Sequence, residues 1–348
     1  MGQQGKGRTG TFFEDYEIGR EIVCPTPRAI TAGETAWNIA ITGDRTPRFC
    51  SAEGRVHPLI AFHVVVGQTV RDVSANARAN LGYAGMVWRA PVFHGDEIST
   101  AIKILGLKEN SNRETGNVYV ETVGRNQRGE TVLEFTRWVM VRKRDASKPT
   151  RFLEAPVVPK LPTSVAPADL PSLSGPLPTT RETGGRSFFE DYAPRERIFH
   201  YDGMTVYRSD HASYTRLWQN SAKVHLDAVL TQGNPLVYGG MTIAIAYAQA
   251  FNGLENRSGL VAMNSCVHAN PVHPGMTIYS YSEVLETHDV PGSPWGALRL
   301  RLVAVRDSDP SVEESFEPRV PDGKGGERYD ERVLLDVDYW DLMPKRQA

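Results

Sequence analysis

The sequence predicts an α+β protein in which one fold is built twice: two antiparallel sheets, each wrapped round a central helix, packed as a pseudo-dimer. Three observations predict this. The run Phe-Phe-Glu-Asp-Tyr occurs at Phe12–Tyr16 and again at Phe188–Tyr192, 176 positions later. Each half also contains one stretch that is apolar on nearly every face, followed by segments in which apolar and polar residues alternate. A buried helix and an antiparallel meander, present twice, indicate duplication of a whole domain.

The two apolar stretches are the predicted central helices, His57–Val70 and Gly239–Phe251. The β-branched residues of the first stretch leave a strand possible there, whereas the second, rich in Ala, Ile and Met, favours a helix. Among the segments that follow, Asn117–Lys143 predicts a long hairpin with its turn at Asn126–Gly129. The corresponding hairpin of the second half is interrupted at 308–330 by a polar, Gly- and Pro-rich stretch, which predicts an exposed loop.

Composition and length limit the classes of protein that fit. A chain of 348 residues with 40% hydrophobic and 23% charged residues suits two globular domains. A formal charge of −2 offers no basic surface to nucleic acid, and no apolar run approaches the roughly 20 residues that cross a bilayer. The three cysteines, Cys24, Cys50 and Cys266, are far apart, which argues against a disulfide framework or a zinc site and fits a cytoplasmic location.

The same features divide the chain into four parts. Residues 1–10 form a flexible leader without the apolar segment of a signal peptide. Residues 11–145 form the first repeat and 186–348 the second. Residues 146–185 are dense in proline and lack helical or strand periodicity, which predicts an extended linker.

The order of these parts resembles the MaoC-like (R)-specific enoyl-CoA hydratases, with PVFHGD (Pro91–Asp96) and PVHPGM (Pro271–Met276) just after a strand. The resemblance covers the chain outside the leader, the linker and the late polar loop. It implies a double hotdog fold and the reversible hydration of an unsaturated acyl-CoA, here mesaconyl-CoA to β-methylmalyl-CoA. CoA would be part of the substrate, and no metal or other cofactor is implied. Such pseudo-dimers often pair again, which predicts a homo-oligomer, specifically a homodimer.

The hydratase signature of this family reads Gly-Asp-any-Asn-Pro-aliphatic-His and places an acid and an imidazole five residues apart. The first half has GDRTPRF, which keeps Asp44 but has Phe49 in place of the histidine. The second half has QNSAKVH, which keeps His225 but has Asn220 in place of the aspartate. Neither copy is a complete match.

Hydration needs a base for the water, an acid for the carbon beside the carbonyl, and donors for the thioester oxygen. His225 is the candidate acid/base group, since imidazole titrates near neutral pH; a structural histidine is the alternative. Asn220 can orient water or hold the imidazole but cannot act as a base. A carboxylate could come from Asp227, or from Asp44 if the repeats bring their motifs together, and we rank Asp44 below His225.

Two glycines at the start of the second central helix, Gly239 and Gly240, predict an oxyanion site, because free N–H groups and the helix dipole meet there. The family resemblance implies Gly240 as the donor; a turn glycine without a ligand is the alternative. The first half has Pro58 at this point and lacks a donor. We therefore expect one working site per chain, built mainly from the second repeat.

A substrate with a free carboxylate needs a cation, and an arginine suits it best. Basic residues flank both motifs and could bind this carboxylate, bind CoA phosphates or lie on the surface. Aromatic residues near the second motif could line the pocket or pack in the core. The candidates for substrate binding are Gly239, Arg216, Lys223 and Trp218, with Arg45, Arg48 and Tyr214 as further possibilities.

Two other functions compete. A hotdog thioesterase would need a carboxylate or comparable base aimed at the carbonyl carbon, which Asn220 does not supply. A non-catalytic acyl-CoA-binding protein is favoured by the incomplete motifs. The retention of His225 together with the paired glycines favours the hydratase, and fold resemblance alone cannot decide between them.

Overall fold

The structure, a computed structural model, describes residues 6–172, 176–313 and 316–346. Positions 1–5 of the predicted leader and 173–175 of the predicted linker lie outside the described residues. So do 314–315 of the polar loop and 347–348.

The described residues contain a twelve-stranded antiparallel sheet and a separate two-stranded hairpin. The strands of the first half are β1 (Glu21–Val23), β2 (Arg28–Ala29), β3 (Ala77–Val87), β4 (Glu97–Glu109), β5 (Thr115–Arg125) and β6 (Thr131–Arg142). Those of the second half are β7 (Arg197–Phe199), β8 (Met204–Thr205), β9 (Gly259–His268), β10 (Thr277–Asp289), β11 (Trp295–Arg306) and β14 (Val333–Pro344). The hairpin, in the polar loop, pairs β12 (Arg319–Pro321) with β13 (Glu327–Tyr329).

The main sheet has the order β1-β4-β5-β6-β3-β9-β14-β11-β10-β7, so each half of it repeats the other in reverse. The two halves join where β3 pairs with β9, for example Tyr83 with Cys266. This pairing satisfies backbone groups that an edge strand would leave open. The predicted α+β double fold is confirmed, and its two sheets are continuous with one another.

Seven α-helices lie in the described residues: α1 (Ala32–Thr42), α2 (Pro47–Cys50), α3 (Pro58–Thr69), α4 (Thr180–Thr183), α5 (Arg208–Leu217), α6 (Lys223–Leu226) and α7 (Gly239–Gln249). The central helices are α3, which continues as a π-helical turn to Ser74, and α7. Every residue of α3 after Pro58 and of α7 after Gly239 is buried, as expected for helices that are apolar all round.

The helices and short strands before the central helix keep the 176-residue spacing of the sequence repeat. It holds for β1 and β7, β2 and β8, α1 and α5, and α2 and α6. The central helices themselves begin 181 residues apart, so the connection before α7 is five residues longer than the one before α3. This longer connection contributes to the site described below.

The repeated Phe-Phe-Glu-Asp-Tyr motif has a structural task. In each copy the motif forms a single 3-10 turn, and its aspartate accepts a hydrogen bond from the first phenylalanine N–H. Phe13 packs on Gly116 of β5, and Phe189 packs in the same way on Gly296 of β11. A Cβ added at either glycine would lie within 2.3 Å of the ring, so each turn is fitted to a glycine of its own sheet.

The predicted linker packs across strands of both halves. Val157 exchanges two backbone hydrogen bonds with Leu107 of β4. Val165 donates its N–H to Asn264 Oδ1 and accepts from the Trp340 indole. None of the helices formed by the described residues is long and apolar enough to cross a membrane.

Candidate active site

A cavity of about 270 Å³ lies beside the start of α7 and the β3–β9 junction. The second repeat contributes α6, the first turn of α7 and the end of β9, and the first repeat contributes the end of α3 and β3. The titratable side chains that line the cavity are Tyr83, Arg137, His225, Tyr238 and His268, and Asn220 of the second motif lines it as well. None of the described residues that line the cavity is Asp or Glu.

His225, in α6, offers a free imidazole nitrogen to this cavity. Its Nδ1–H donates to the Leu236 carbonyl oxygen at 2.8 Å, which leaves Nε2 as the unprotonated nitrogen. Leu236 belongs to the longer connection before α7. No described residue makes a hydrogen bond to Nε2, and burial lowers the pKa of His225 to about 4. The ring is therefore neutral at pH 7 and can accept a proton from water.

A chain of hydrogen bonds behind Tyr238 joins the two repeats. Tyr214 O–H donates to Asn38 Oδ1 at 2.8 Å, so His63 Nε2–H donates to the Tyr214 oxygen at 2.9 Å. His63 Nδ1 then accepts from Tyr238 O–H at 3.1 Å. Burial holds the pKa of His63 well below its usual value, so this ring is neutral. The chain fixes the Tyr238 ring against His225, with ring centroids 5.9 Å apart.

The start of α7 supplies backbone donors. No described residue accepts from the N–H groups of Gly239 and Gly240, and the Tyr238 side chain caps neither. Gly239 lines the cavity and Gly240 does not. An added Cβ would lie 2.5 Å from His268 Cε1 at Gly239, and 2.4 Å from Tyr238 Cζ at Gly240. Because the two glycines have no side chain, the rings of His268 and Tyr238 can pack directly against the start of the helix. The free N–H groups at this positive end of the helix dipole can stabilise an oxyanion.

Two further polar side chains face the cavity from the second repeat. Asn220 is 4% exposed, and its Oδ1 accepts from the Ala222 N–H at 3.2 Å. The Asn220 amide donors have no acceptor among the described residues, so they can bind water. His268 brings a second imidazole whose Nε2 is buried without a partner. Burial lowers the pKa of His268 to about 4.

The structure places Asp44 apart from this cavity. Asp44 Oδ1 accepts from the N–H and the hydroxyl of Thr46, at 3.1 and 2.8 Å. Its Oδ2 lies 3.7 Å from His57 Nε2. The two repeats therefore do not bring their motifs into one site. Asp227, at the end of α6, holds the Val229 and Leu230 N–H groups instead of lining the cavity.

The equivalent place in the first repeat is a pocket of only about 50 Å³. Phe49 and Trp88 occupy the positions of the two imidazoles, and both line this pocket. Pro58 begins α3 without an N–H, and His57 Nδ1 accepts the next free N–H, that of Leu59, at 3.0 Å. Of the two N–H groups that could stabilise an oxyanion there, one is absent because of Pro58 and the other is occupied by His57.

Three residues predicted to bind substrate do not line the cavity. Arg216 lies exposed on α5, where its Nε donates to a carbonyl one turn earlier. Lys223 Nζ donates to Asn76 Oδ1 at 3.2 Å. Trp218 is fully buried and stacks on His63 with centroids 5.1 Å apart. Core packing, the alternative considered for the aromatic residues, describes the position of Trp218.

Sequence reasoning missed Arg137, Tyr238 and His268. Arg137 had a detectable signal, because it stands in phase with the buried residues Phe135 and Val139 along β6. An arginine at an inward position of an alternating strand is unusual. Tyr238 and His268 had no such signal, since their relation to His225 depends on the packing of separate elements.

We expect the stability of the protein to depend on pH below about 6.5. Burial lowers the pKa of His57 and His200 to about 4, and it holds the pKa of His63 well below its usual value. Below pH 6.5 the unfolded chain binds protons at these histidines while the folded protein does not. Each therefore lowers the free energy of unfolding by about 1.4 kcal/mol per pH unit, down to the pKa in the folded state.

Urea unfolding at a series of pH values checks this prediction. The free energy of unfolding should change little from these groups between about pH 7 and 8, and fall steeply towards about pH 5. Equal free energies of unfolding at about pH 7 and about pH 5 would contradict the prediction.

Within residues 6–172, 176–313 and 316–346, no group of three or more His, Cys, Asp or Glu side chains is placed to hold a metal ion. Cys24, Cys50 and Cys266 are unpaired.

Comparison with known proteins supplies the family. The chain is 45% identical to a mesaconyl-CoA hydratase from Cereibacter sphaeroides, over 98% of this chain and 100% of that protein. It is 42% identical to a β-methylmalyl-CoA dehydratase from Chloroflexus aurantiacus, over 98% and 99% of the two chains. No family model matches the chain.

Two solved structures agree with the architecture. The crystal structure of a MaoC domain protein dehydratase from Chloroflexus aurantiacus superposes with a TM-score of 0.90 at 41% identity, covering 99% of this chain and 100% of the other. A Mycobacterium tuberculosis protein with a double hotdog fold superposes with a TM-score of 0.72 at 23% identity, covering 96% and 99%. The full-length matches and the paired half-sheets lead to one conclusion: the chain belongs to the MaoC-like hydratase and dehydratase family, in its form with two tandem hotdog repeats.

Proposed function

We propose that the protein is a hydro-lyase that reversibly hydrates mesaconyl-CoA to β-methylmalyl-CoA. The names of the relatives at 45% and 42% identity support this substrate. The observation that carries the proposal is the neutral His225 imidazole, with Nε2 unpaired, lining the same cavity as the uncapped first turn of α7.

The proposed mechanism uses these groups in turn. The thioester oxygen binds at the free N–H of Gly239, the glycine of this helix start that lines the cavity, where negative charge is stabilised as the double bond is attacked. Asn220 holds the attacking water through its amide. His225 Nε2 takes a proton from this water while the hydroxyl oxygen bonds to the β-carbon, and the proton then passes from His225 to the α-carbon.

Two alternatives are weaker on specific grounds. A thioesterase using a carboxylate would need one in the cavity, and none of the described lining residues supplies it. A non-catalytic binding protein would not need the tautomer of His225 to be fixed. The incomplete motif of the first repeat lies at the small pocket of that repeat, where Phe49 replaces the histidine. The missing histidine there therefore does not affect the site in the second repeat.

The test is the ultraviolet absorbance of mesaconyl-CoA with the purified protein, measured beside a thiol assay. We expect the absorbance of the conjugated thioester to fall with no release of free thiol. Release of thiol would indicate a thioesterase. An absence of both changes would contradict catalysis and favour a binding protein.

A cytoplasmic homodimer remains part of the proposal. The three unpaired cysteines support a reducing compartment. Light scattering of the purified protein tests the dimer, and a monomeric mass at micromolar concentration would contradict it.

A further inference from the structure

Arg137, at the centre of β6, is a buried cation without an acidic partner. It is 1% exposed and lines the cavity. Its Nη2 donates to the hydroxyls of Thr69 at 2.6 Å and Ser74 at 3.4 Å. Its Nε is buried without a partner, and no described residue accepts from Nη1. No carboxylate oxygen of the described residues lies within 4.0 Å of the Arg137 guanidinium. This includes the carboxylate of Asp72, which lies on the same π-helical turn as Ser74.

A second buried arginine, Arg257, also has N–H groups without a partner, at its Nε and Nη1, but it does not line the cavity. Arg257, also 1% exposed, lies over the Tyr247 ring at 3.8 Å and donates to the Tyr247 carbonyl. The nearby Asp341 carboxyl helps to hold the pKa of Arg257 above its usual value. Burial lowers the pKa of Arg137, and no carboxyl group offsets this effect. A buried charge without a counter-ion is costly. Because Arg137 lines the cavity, a ligand bound there can supply the opposite charge.

The position of Arg137 places this charge in the acyl part of the site. Arg137 pairs across the sheet with Tyr83, and the Tyr83 ring packs against His268 with centroids 6.1 Å apart. His268 in turn packs on Gly239 at the start of α7. Among the described residues that line the cavity, Arg137 is the only Arg or Lys.

We propose that Arg137 binds a carboxylate at the far end of the acyl group, so that the cavity selects thioesters of dicarboxylic acids. This inference rests on the proposed function and extends it to substrate selection. In mesaconyl-CoA the free carboxylate is attached to the carbon that receives the hydroxyl group, so it enters the cavity together with the double bond. A carboxylate that leaves water needs charged donors, and the unpaired N–H groups of Arg137 provide them.

The test measures binding with two thioesters that cannot be hydrated. Succinyl-CoA and butyryl-CoA differ only by a carboxylate in place of a terminal methyl group. We expect isothermal titration of the wild-type protein to give at least tenfold tighter binding of succinyl-CoA, about 1.4 kcal/mol. In the Arg137→Met variant this preference should disappear through weaker succinyl-CoA binding, with butyryl-CoA affinity changed less than about threefold. The Arg137→Lys variant should keep part of the preference.

Asp72→Asn is the matched control, because it removes the charge of a half-buried carboxyl that lies on the same π-helical turn as Ser74 and does not line the cavity. This variant should keep the preference for succinyl-CoA. Thermal unfolding shows which variants fold; if Arg137→Met does not, the wild-type pair and Arg137→Lys decide. Equal wild-type affinities, or a folded Arg137→Met variant that keeps the preference, would overturn the inference. Failure to hydrate mesaconyl-CoA with the preference intact would overturn the proposed function alone.

Discussion

Replacing His225 by glutamine is expected to lower kcat/KM for the hydration of mesaconyl-CoA by about 10³-fold. Glutamine can keep the hydrogen bond that His225 Nδ1–H makes to the Leu236 carbonyl, but it cannot take a proton from water. The wild-type ring is available for this task at pH 7, since burial lowers its pKa to about 4. The measurement is the initial rate of absorbance change over a range of substrate concentrations.

Asp44→Asn is the matched control for this prediction. It converts the first-repeat motif to the residue that the second repeat already has, and asparagine can still accept from the Thr46 N–H. Because Asp44 lies with His57 outside the cavity, activity should stay within about threefold of the wild type. Loss of activity in Asp44→Asn, with His225→Gln still active, would assign catalysis to the first repeat instead.

Replacing Gly239 by alanine is expected to lower kcat/KM by about 10²-fold, the size of effect that misplacing a reacting group by about 1 Å can have. The added Cβ would lie 2.5 Å from Cε1 and 2.8 Å from Nε2 of His268, so the ring must move. Alanine suits the first position of a helix, so the backbone itself should tolerate the change. Overpacking of this kind lowers the free energy of unfolding by about 1–3 kcal/mol, which leaves the protein folded for kinetic measurement.

The control for Gly239 is the equivalent residue of the other repeat. Pro58→Ala restores an N–H at the start of α3, in a pocket of only about 50 Å³. We expect its activity to equal that of the wild type, since the neighbouring donor of Leu59 stays capped by His57. If Gly239→Ala is as active as Pro58→Ala, the first turn of α7 does not position the thioester.

The two repeats thus have the same fold, but they contribute different residues to a single candidate active site. The second repeat keeps an imidazole, a glycine start to its helix and an open cavity. The first repeat has Phe49 and Trp88 at the positions of the two imidazoles of the second repeat. Arg137 and Tyr83 of the first repeat line the cavity of the second. The inter-repeat hydrogen bond that Tyr238 O–H donates to His63 Nδ1 ties the first central helix to that cavity as well. Either repeat alone would therefore lack part of the site.

Much of the fold was predictable from the sequence, because the relevant signals are local. The repeated motif, the two apolar helices and the hairpin at Asn126–Gly129 are patterns of composition and period, which adjacent residues carry. For the site, the motif spacing singled out His225, and the helix start singled out Gly239. Arg137 escaped notice although its phase along β6 marked it, because its lack of a partner is visible only when all neighbours are known.

The sequence by itself determined that the chain is a duplicated α+β protein, which repeat keeps an imidazole, and where the central helices lie. Only the tertiary structure decided which residues share a cavity. Asp44 and Trp218 stand apart from it, while Arg137 and His268 enter it. The physical reason is that β3 and β9 join positions nearly two hundred residues apart in the chain. Burial at that junction, which no local pattern encodes, sets the charge of His225 and leaves Arg137 without an acid.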